Sequence, residues 1–410
     1  MSTTSGCDVL IIGGGITGLT IARELVRRGS GDVLVLDKEP YLGAHASGRN
    51  SGVVHAGIYY PPDSLKGRSC LEGNQLLKAY CREKGLTLRE TGKVIVTRSP
   101  EELNGLFELK RRADRLGAVA EVIDEQQLHE IEPYAATCGK ALYSPNTATI
   151  RPKEVLEALA QELRQSGKVS ILTGSHFLGL EGSGTARTSR GPVHFQRAIN
   201  AAGAFADRVA RAFSLGGEYK ILPFKGTYMK VVRERASLVR GNIYPVPDLR
   251  NPFLGVHLTR MADGELYVGP TAIPAFGREN YGLLQGMDWE AADILCRDAL
   301  LLFCNAGFRS AAFSEPKYYL RRFVHGAARA LVPTLQLKDL QRADKVGIRP
   351  QLVHWPTKKL VTDFVLLRDG SSLHVLNAIS PAFTSSMAFA QSAVDLLLDA
   401  NGPATHAVPI

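Results

Sequence analysis

The chain has little cysteine and arranges it for no metal. Its six cysteines, Cys7, Cys70, Cys81, Cys138, Cys296 and Cys304, form no CxxC pair and no zinc-ligand spacing. That argues against a structural metal or a disulfide framework and leaves free thiols in a reducing compartment. No uncharged apolar run reaches the roughly 18 residues of a spanning helix, and no basic leader or Arg-rich transit stretch opens the sequence. The expectation is therefore a cytoplasmic protein, with peripheral association at the inner face of a membrane left open. Lys and Arg outnumber Asp and Glu by 49 to 40, a net charge of +9, yet they gather into no basic block. Without a recognisable nucleic-acid module, no nucleic-acid partner is expected. Internal repeats and low-complexity linkers are also lacking.

What the sequence has in excess is glycine, 40 of 410 residues, above the usual share of roughly 7%. Such an excess points to tight turns and close backbone approaches. Apolar residues make up 45% and charged residues 22%, the balance of a globular chain with about two or three domains. The first glycine cluster sits in a βαβ unit: residues 8–12 (DVLII) suit a strand buried on both faces, Gly13-Gly14-Gly15-Ile16-Thr17-Gly18 leads into a helical segment, and residues 33–36 (VLVL) end at Asp37. In that context Gly13-x-Gly15-x-x-Gly18, with an acidic residue 24 positions after Gly13, is a dinucleotide fingerprint. Gly13 permits the turn, Gly15 lets backbone approach the pyrophosphate, Gly18 lets the helix pack on the sheet, and Asp37 accepts the ribose hydroxyls. The phosphates face the N–H groups of the first helical turn, at Ile16 and Thr17. The following loop, GAHASGRNSGVVHAG (43–57), favours FAD over a nicotinamide dinucleotide, because an extended flavin needs a second backbone cradle. Lys38, Ser47, Arg49, Asn50, Ser51 and Gly52 are assigned to it.

Helical periodicity recurs at 64–84, 101–116, 152–166 and 288–305, and strand-like runs at 93–97, 169–173, 228–232, 266–268, 364–367 and 373–376. The fold class expected is α/β with an α+β second domain. A Rossmann-like FAD-binding domain is assembled from 1–90, 146–214 and 336–400, and a mixed-sheet substrate domain from 91–145 and 215–335 is inserted in it. Residues 401–410 form a C-terminal tail.

SGRNSGVVHAGIYY (47–60) followed by PPDSLKGRSCLEGN (61–74) resembles the signature of the L-2-hydroxyglutarate dehydrogenases and oxidases, in the D-amino-acid oxidase-like superfamily of FAD-dependent oxidoreductases. INAAGAFADRVA (199–210), PFKGTY (223–228), GNIYPVPDLRNPFLGVHLTR (241–260), LYVGPTAIPAF (266–276), KVGIRPQ (345–351) and LNAISPAFTSSMAFA (376–390) are similar to further family segments. The sequence departs from the family pattern at Arg151, at Lys225 and across Gly347–Gln351. The resemblance implies FAD beside Ala202 and Gly203 and beside Pro381, Ala382, Thr384 and Ser385 at a C-terminal helix. It also implies a small carboxylate substrate, and oxygen, a quinone or an electron carrier as acceptor.

Oxidising a 2-hydroxy acid needs a base for the hydroxyl proton and an anchor for the carboxylate. Among ten histidines, His257 and His55 are the two candidates for the base. His257 is favoured from its place in the substrate domain, while His55 lies along the flavin, though the roles are exchangeable. Arg349 is the first choice of anchor because a guanidinium offers a planar fork. Tyr59, Lys225, Tyr228 and Arg260 are candidates for a second carboxylate. The competing reading is an amine or amino-acid oxidase of the sarcosine and glycine oxidase type.

Overall fold

The computed structural model describes residues 5–248, 255–287, 289–399 and 405–406. The elements that position the site are β1 (Ser5–Ile12), α1 (Ile16–Arg27), β2 (Val33–Leu36), β3 (Val53–Val54), α2 (Leu65–Glu83), β4 (Lys93–Val96), α3 (Pro152–Gln165), β5 (Val169–Leu172) and β6 (Gly191–Asn200). They continue with β7 (Tyr219–Val231), β8 (Asn242–Pro245), β9 (His257–Arg260), β10 (Leu266–Gly269), β11 (Leu340–His354), β12 (Ser372–Val375) and α4 (Ala382–Leu398).

Five parallel strands in the order β5-β2-β1-β6-β12 form the centre of the first sheet. This is the doubly wound arrangement in which a ligand binds outside the carboxyl ends of the strands, where the strand order reverses beside β1. Both faces of β1 and β2 are buried, which is why these strands read as unbroken apolar runs. Val9, Ile11, Val33 and Val35 pack toward α1, α3 and α4, against Leu19, Leu25, Val155, Leu159 and Val394. Leu10, Ile12, Leu34 and Leu36 pack on the other side with Val193 and Val209. Burying each such side chain stabilises the fold by about 1.5–3 kcal/mol.

The second, mixed sheet runs β11-β7-β10-β9-β8-β4 and continues through Ala141–Ser144 and Glu121–Ile123. The two-residue alternation of a strand decides its chemistry. Val94, Val96, Ile243, Leu258, Leu266 and Val268 point into one core. Ile95 and Tyr244 lie in another, beside Ile58 and Tyr59, so Lys93, Asn242, His257 and Thr259 share this second face.

Two expectations need correction. Residues 340–354, read as part of the FAD-binding domain, form β11 and pair with β7 from Tyr219↔His354 to Val231↔Leu340. The strand expected at 228–232 is the end of a much longer one, because Pro223 and Gly226 do not stop this two-stranded ladder. Within the tail, Thr405 and His406 pair with Leu366 and Leu367, and 401–404 and 407–410 lie outside the described residues. All six cysteines are free thiols, as expected.

Candidate active site

A cavity of about 640 Å³ opens at the carboxyl ends of β1 and β2 and runs to the second face of the mixed sheet. Its near end is built by the glycine turn. Gly13 has φ +116° and a Cβ there would lie 2.3 Å from the Ala201 carbonyl oxygen, while a Cβ on Gly18 would meet the Gly13 oxygen at 1.9 Å. The turn therefore requires glycine at both positions. Helix α1 starts at Gly15 with no acidic residue in its first turn, so its positive end is free to meet an anion. Ser47 Oγ accepts the Ile16 N–H at 2.9 Å and ties the second loop to this turn. The Asp37 carboxylate accepts from the Gly14 and Glu39 amides, both at 2.9 Å. Burial raises its pKa and these bonds oppose the rise.

Gly13, Gly15, Ile16, Thr17, Asp37, Lys38, Ser47, Arg49, Asn50, Ser51, Ala202, Gly203, Pro381, Ala382 and Thr384 line the cavity. Gly18, Gly52 and Ser385 do not; they shape its walls. Gly52, at φ +69°, accepts the Ile150 N–H at its carbonyl and donates its own N–H to Asn50 Oδ1, and Ser385 is buried where α4 crosses Gly73 of α2. Lys38 lines the cavity, yet its ammonium is held by Glu39 and Glu279 and lies 3.0 Å from His45 Nε2. Arg49 donates to the Ala44 carbonyl at 2.6 Å and lies 4.1 Å over the Tyr281 ring. Glu279 and Tyr281 thus fasten a segment of the second domain to the loop that the dinucleotide would follow. At the far end α4 begins at Pro381, again with no acidic residue in its first turn. Two helix N-termini on one long cavity, with a glycine turn that admits backbone to a pyrophosphate, fit FAD.

His55, Tyr228, Tyr244, His257 and Arg349 close the far end. His55 is fixed through its backbone: its N–H donates to Thr384 Oγ1 at 3.1 Å and its carbonyl accepts from Asn74 Nδ2 at 2.9 Å. Burial, and then the Lys93 charge, lowers its pKa to about 3. His257 lies flat on Tyr244, with centroids 3.7 Å apart, and its Nδ1 is 3.2 Å from Thr259 Oγ1. Burial, His55 and Lys93 hold its pKa well below the usual value, so both imidazoles are neutral. Arg349 stands opposite Phe224 in the β7–β11 register, and burial lowers its pKa to about 10 while nearby Tyr60 opposes the shift.

Three residues proposed for a second carboxylate do not line the cavity. Arg260 follows Thr259 and so points to the other face of β9, where its guanidinium donates to the Ala236 and Val239 carbonyls. Lys225 alternates with the cavity-lining Phe224 and Gly226 and donates to the Gly282 carbonyl at 2.6 Å. Tyr59 is buried behind the wall, 6.5 Å from Tyr244 between ring centres. Sequence reasoning missed Tyr244 and Lys93. The signal was parity: each stands two residues from a position on its strand that is now known to face the core, within runs that look simply apolar.

Comparison with known proteins gives the family and the cofactor class. The family described as FAD dependent oxidoreductase matches residues 8–396. The chain is 33% identical to the mitochondrial L-2-hydroxyglutarate dehydrogenase of Homo sapiens, over 96% of this chain and 89% of that protein. Identity is 36% to the L-2-hydroxyglutarate dehydrogenase of Indibacter alkaliphilus, over 93% and 96%. Among solved structures it resembles the FAD-bound L-alpha-glycerophosphate oxidase of Mycoplasma pneumoniae, with a TM-score of 0.76 and 23% identity over 96% of this chain and 95% of that one. The glycine oxidase of Geobacillus kaustophilus superposes with a TM-score of 0.70 at 18% identity, over 98% and 97%.

Proposed function

The chain belongs to the FAD-dependent oxidoreductases, and within them to the L-2-hydroxyglutarate dehydrogenase family; on that premise we propose that it oxidises L-2-hydroxyglutarate to 2-oxoglutarate. The observation that carries the reading is that His257, His55 and Arg349 all line the one cavity, with the two imidazoles near enough to act on each other. FAD, when bound, accepts the α-hydrogen of the substrate as hydride. Arg349 grips the carboxylate next to the reacting carbon through its planar fork. That fixes the hydroxyl against the imidazoles. Thr259 occupies Nδ1 of His257, so Nε2 takes the hydroxyl proton. Burial keeps this imidazole unprotonated and ready to accept. The positive end of α4 stabilises negative charge that develops during the transfer.

Anaerobic mixing of the FAD-loaded protein with L-2-hydroxyglutarate should bleach the flavin band. Reduction by sarcosine, glycine or D-amino acids alone would overturn the assignment.

For the electron acceptor, a set of exposed side chains supports a membrane-borne one. Leu283, Trp289, Phe303 and Phe313 are each about four-fifths exposed, and Arg309, Lys317, Arg321 and Arg322 are exposed nearby in sequence. Aromatic and leucine side chains with arginine suit an anionic bilayer surface. No helix among the described residues is long and apolar enough to cross a membrane; the exposed aromatic and basic side chains are what support peripheral attachment. A quinone dissolved in the bilayer is then the acceptor. Flotation with anionic vesicles, and faster reoxidation by a quinone analogue than by oxygen, are expected.

A further inference from the structure

Lys93 has no part in the chemistry above, and its surroundings ask for one. It begins β4, is 1% exposed, and its Nζ has no hydrogen-bond partner among the described residues. The amine lies 4.3 Å from the centre of the Tyr59 ring and 5.1 Å from that of Tyr244. Tyr244 in turn carries His257 flat against it. Two more buried polar atoms near the amine, Tyr59 Oη and His55 Nδ1, have no partner among the described residues. A buried ammonium stripped of water is expensive, and three orphaned polar groups together call for an explanation. Cation–π contact with two phenol rings offsets part of the cost. It satisfies none of the three N–H bonds.

The titratable groups that face the amine are neutral. Cys70, on α2, is pushed up to about 12 by burial. The Tyr59 and Tyr244 phenols are raised by burial as well, and both histidines are lowered. Among the described residues, nothing that acts on the Lys93 charge is a carboxylate.

We propose that Lys93, with Tyr59, forms the subsite for the substrate carboxylate remote from the reacting carbon. The proposal rests on the reading of the substrate as a 2-hydroxy dicarboxylate. Arg260 and Lys225 face away, whereas Lys93 lies behind the wall formed by His55, Tyr244 and His257 and acts on both imidazoles. It shares the sheet face of His257, and its flexible four-carbon stem, rather than the strand, sets how far the charge reaches toward the cavity. An incoming carboxylate accepts from the amine and from the Tyr59 hydroxyl. Burial lowers the free amine to about 7; a carboxylate beside it restores the charged form.

The test compares ligands that differ only in the remote carboxylate. Glutarate and butyrate titrations of the FAD-loaded protein, followed by the flavin spectrum, need no turnover. Glutarate should bind about 100-fold more tightly than butyrate, and Lys93→Met should abolish the preference. In turnover, Lys93→Met should lower kcat/KM for L-2-hydroxyglutarate by about 100-fold and that for L-2-hydroxybutyrate by less than about threefold. Tyr59→Phe, which keeps the ring, should weaken glutarate about fivefold and so serves if the lysine variant does not fold. Equal losses for both ligands would mark a purely structural lysine and overturn the proposal, as would a wild-type protein that does not distinguish glutarate from butyrate. Failure of L-2-hydroxyglutarate to bleach the wild-type flavin would instead refute the proposed reaction, and the glutarate titration would still decide the subsite.

Discussion

Arg349→Met separates function from stability. Arg349 comes from the middle of β11, in register with Phe224, and both line the cavity. In the protein without substrate its charge is held where burial lowers the pKa from 12.5 to about 10. Below that pH the folded state therefore bears an electrostatic cost of at most about 3 kcal/mol, discounted to roughly 1–2 kcal/mol because water in the cavity screens it. A substrate carboxylate recovers that cost through two charge-assisted hydrogen bonds, each contributing about 1.5–3 kcal/mol. Methionine removes both effects while roughly preserving the stem. The variant should lose about 3–4 kcal/mol of transition-state stabilisation, so kcat/KM should fall by about 100- to 1000-fold. Its melting temperature should be no lower than that of the wild type, and up to a few degrees higher. Anaerobic stopped-flow reduction across substrate concentrations gives the first number, and thermal melting of the FAD-loaded protein gives the second. A kcat/KM within about threefold of the wild type, or a parallel collapse of melting temperature, would refute the reasoning.

The remaining predictions concern the proton, the cofactor and the residues placed elsewhere. His257→Asn should slow flavin reduction by at least about 100-fold without preventing FAD binding, and His55→Asn should slow it less; the reverse order would exchange their roles. His55 and His374 are lowered to about 3 and about 4, and His257 well below its usual value. Since the unfolded chain binds these protons first, stability is full above about pH 6.5 and should fall by about 1 kcal/mol per pH unit per histidine as pH drops from there, as urea midpoints will report. Lys225→Met and Arg260→Met should leave kcat/KM within about twofold of the wild type, because both side chains are engaged by backbone carbonyls away from the site. Glu279→Gln breaks the link to Lys38 and should speed FAD release about tenfold, an effect that high salt mimics in the wild type.

The FAD-binding sheet was legible because its signals are local. Strand, glycine turn, helix and acidic residue follow one another within Ser5–Asp37, and each residue has one job that its chemistry announces. The turn needs glycine at 13 and 18 for steric reasons that hold in any surroundings. The domain assignment of 340–354 failed because that stretch makes its contacts non-locally, pairing with residues more than a hundred positions earlier. Nothing in its own apolar pattern says which sheet it joins.

The site divided in the same way, and strand parity explains the division. His257 and Arg260 lie three apart in one short strand, close enough to suggest a shared pocket, yet an odd separation sends them to opposite faces. His257 meets Tyr244 at the cavity, and Arg260 meets the carbonyls at 236 and 239. Phe224 and Lys225 differ by one and are divided by the same rule. Lys93 escaped notice for the complementary reason. At the head of KVIV it looks like the polar boundary of an apolar strand, where lysine is usually solvated, and only the tyrosines contributed by two other segments bury it. A lysine at that position would be ordinary in an isolated sheet. Here its burial is imposed by the packing of the FAD loop on the second domain, so the charge that selects the substrate exists only once both are assembled.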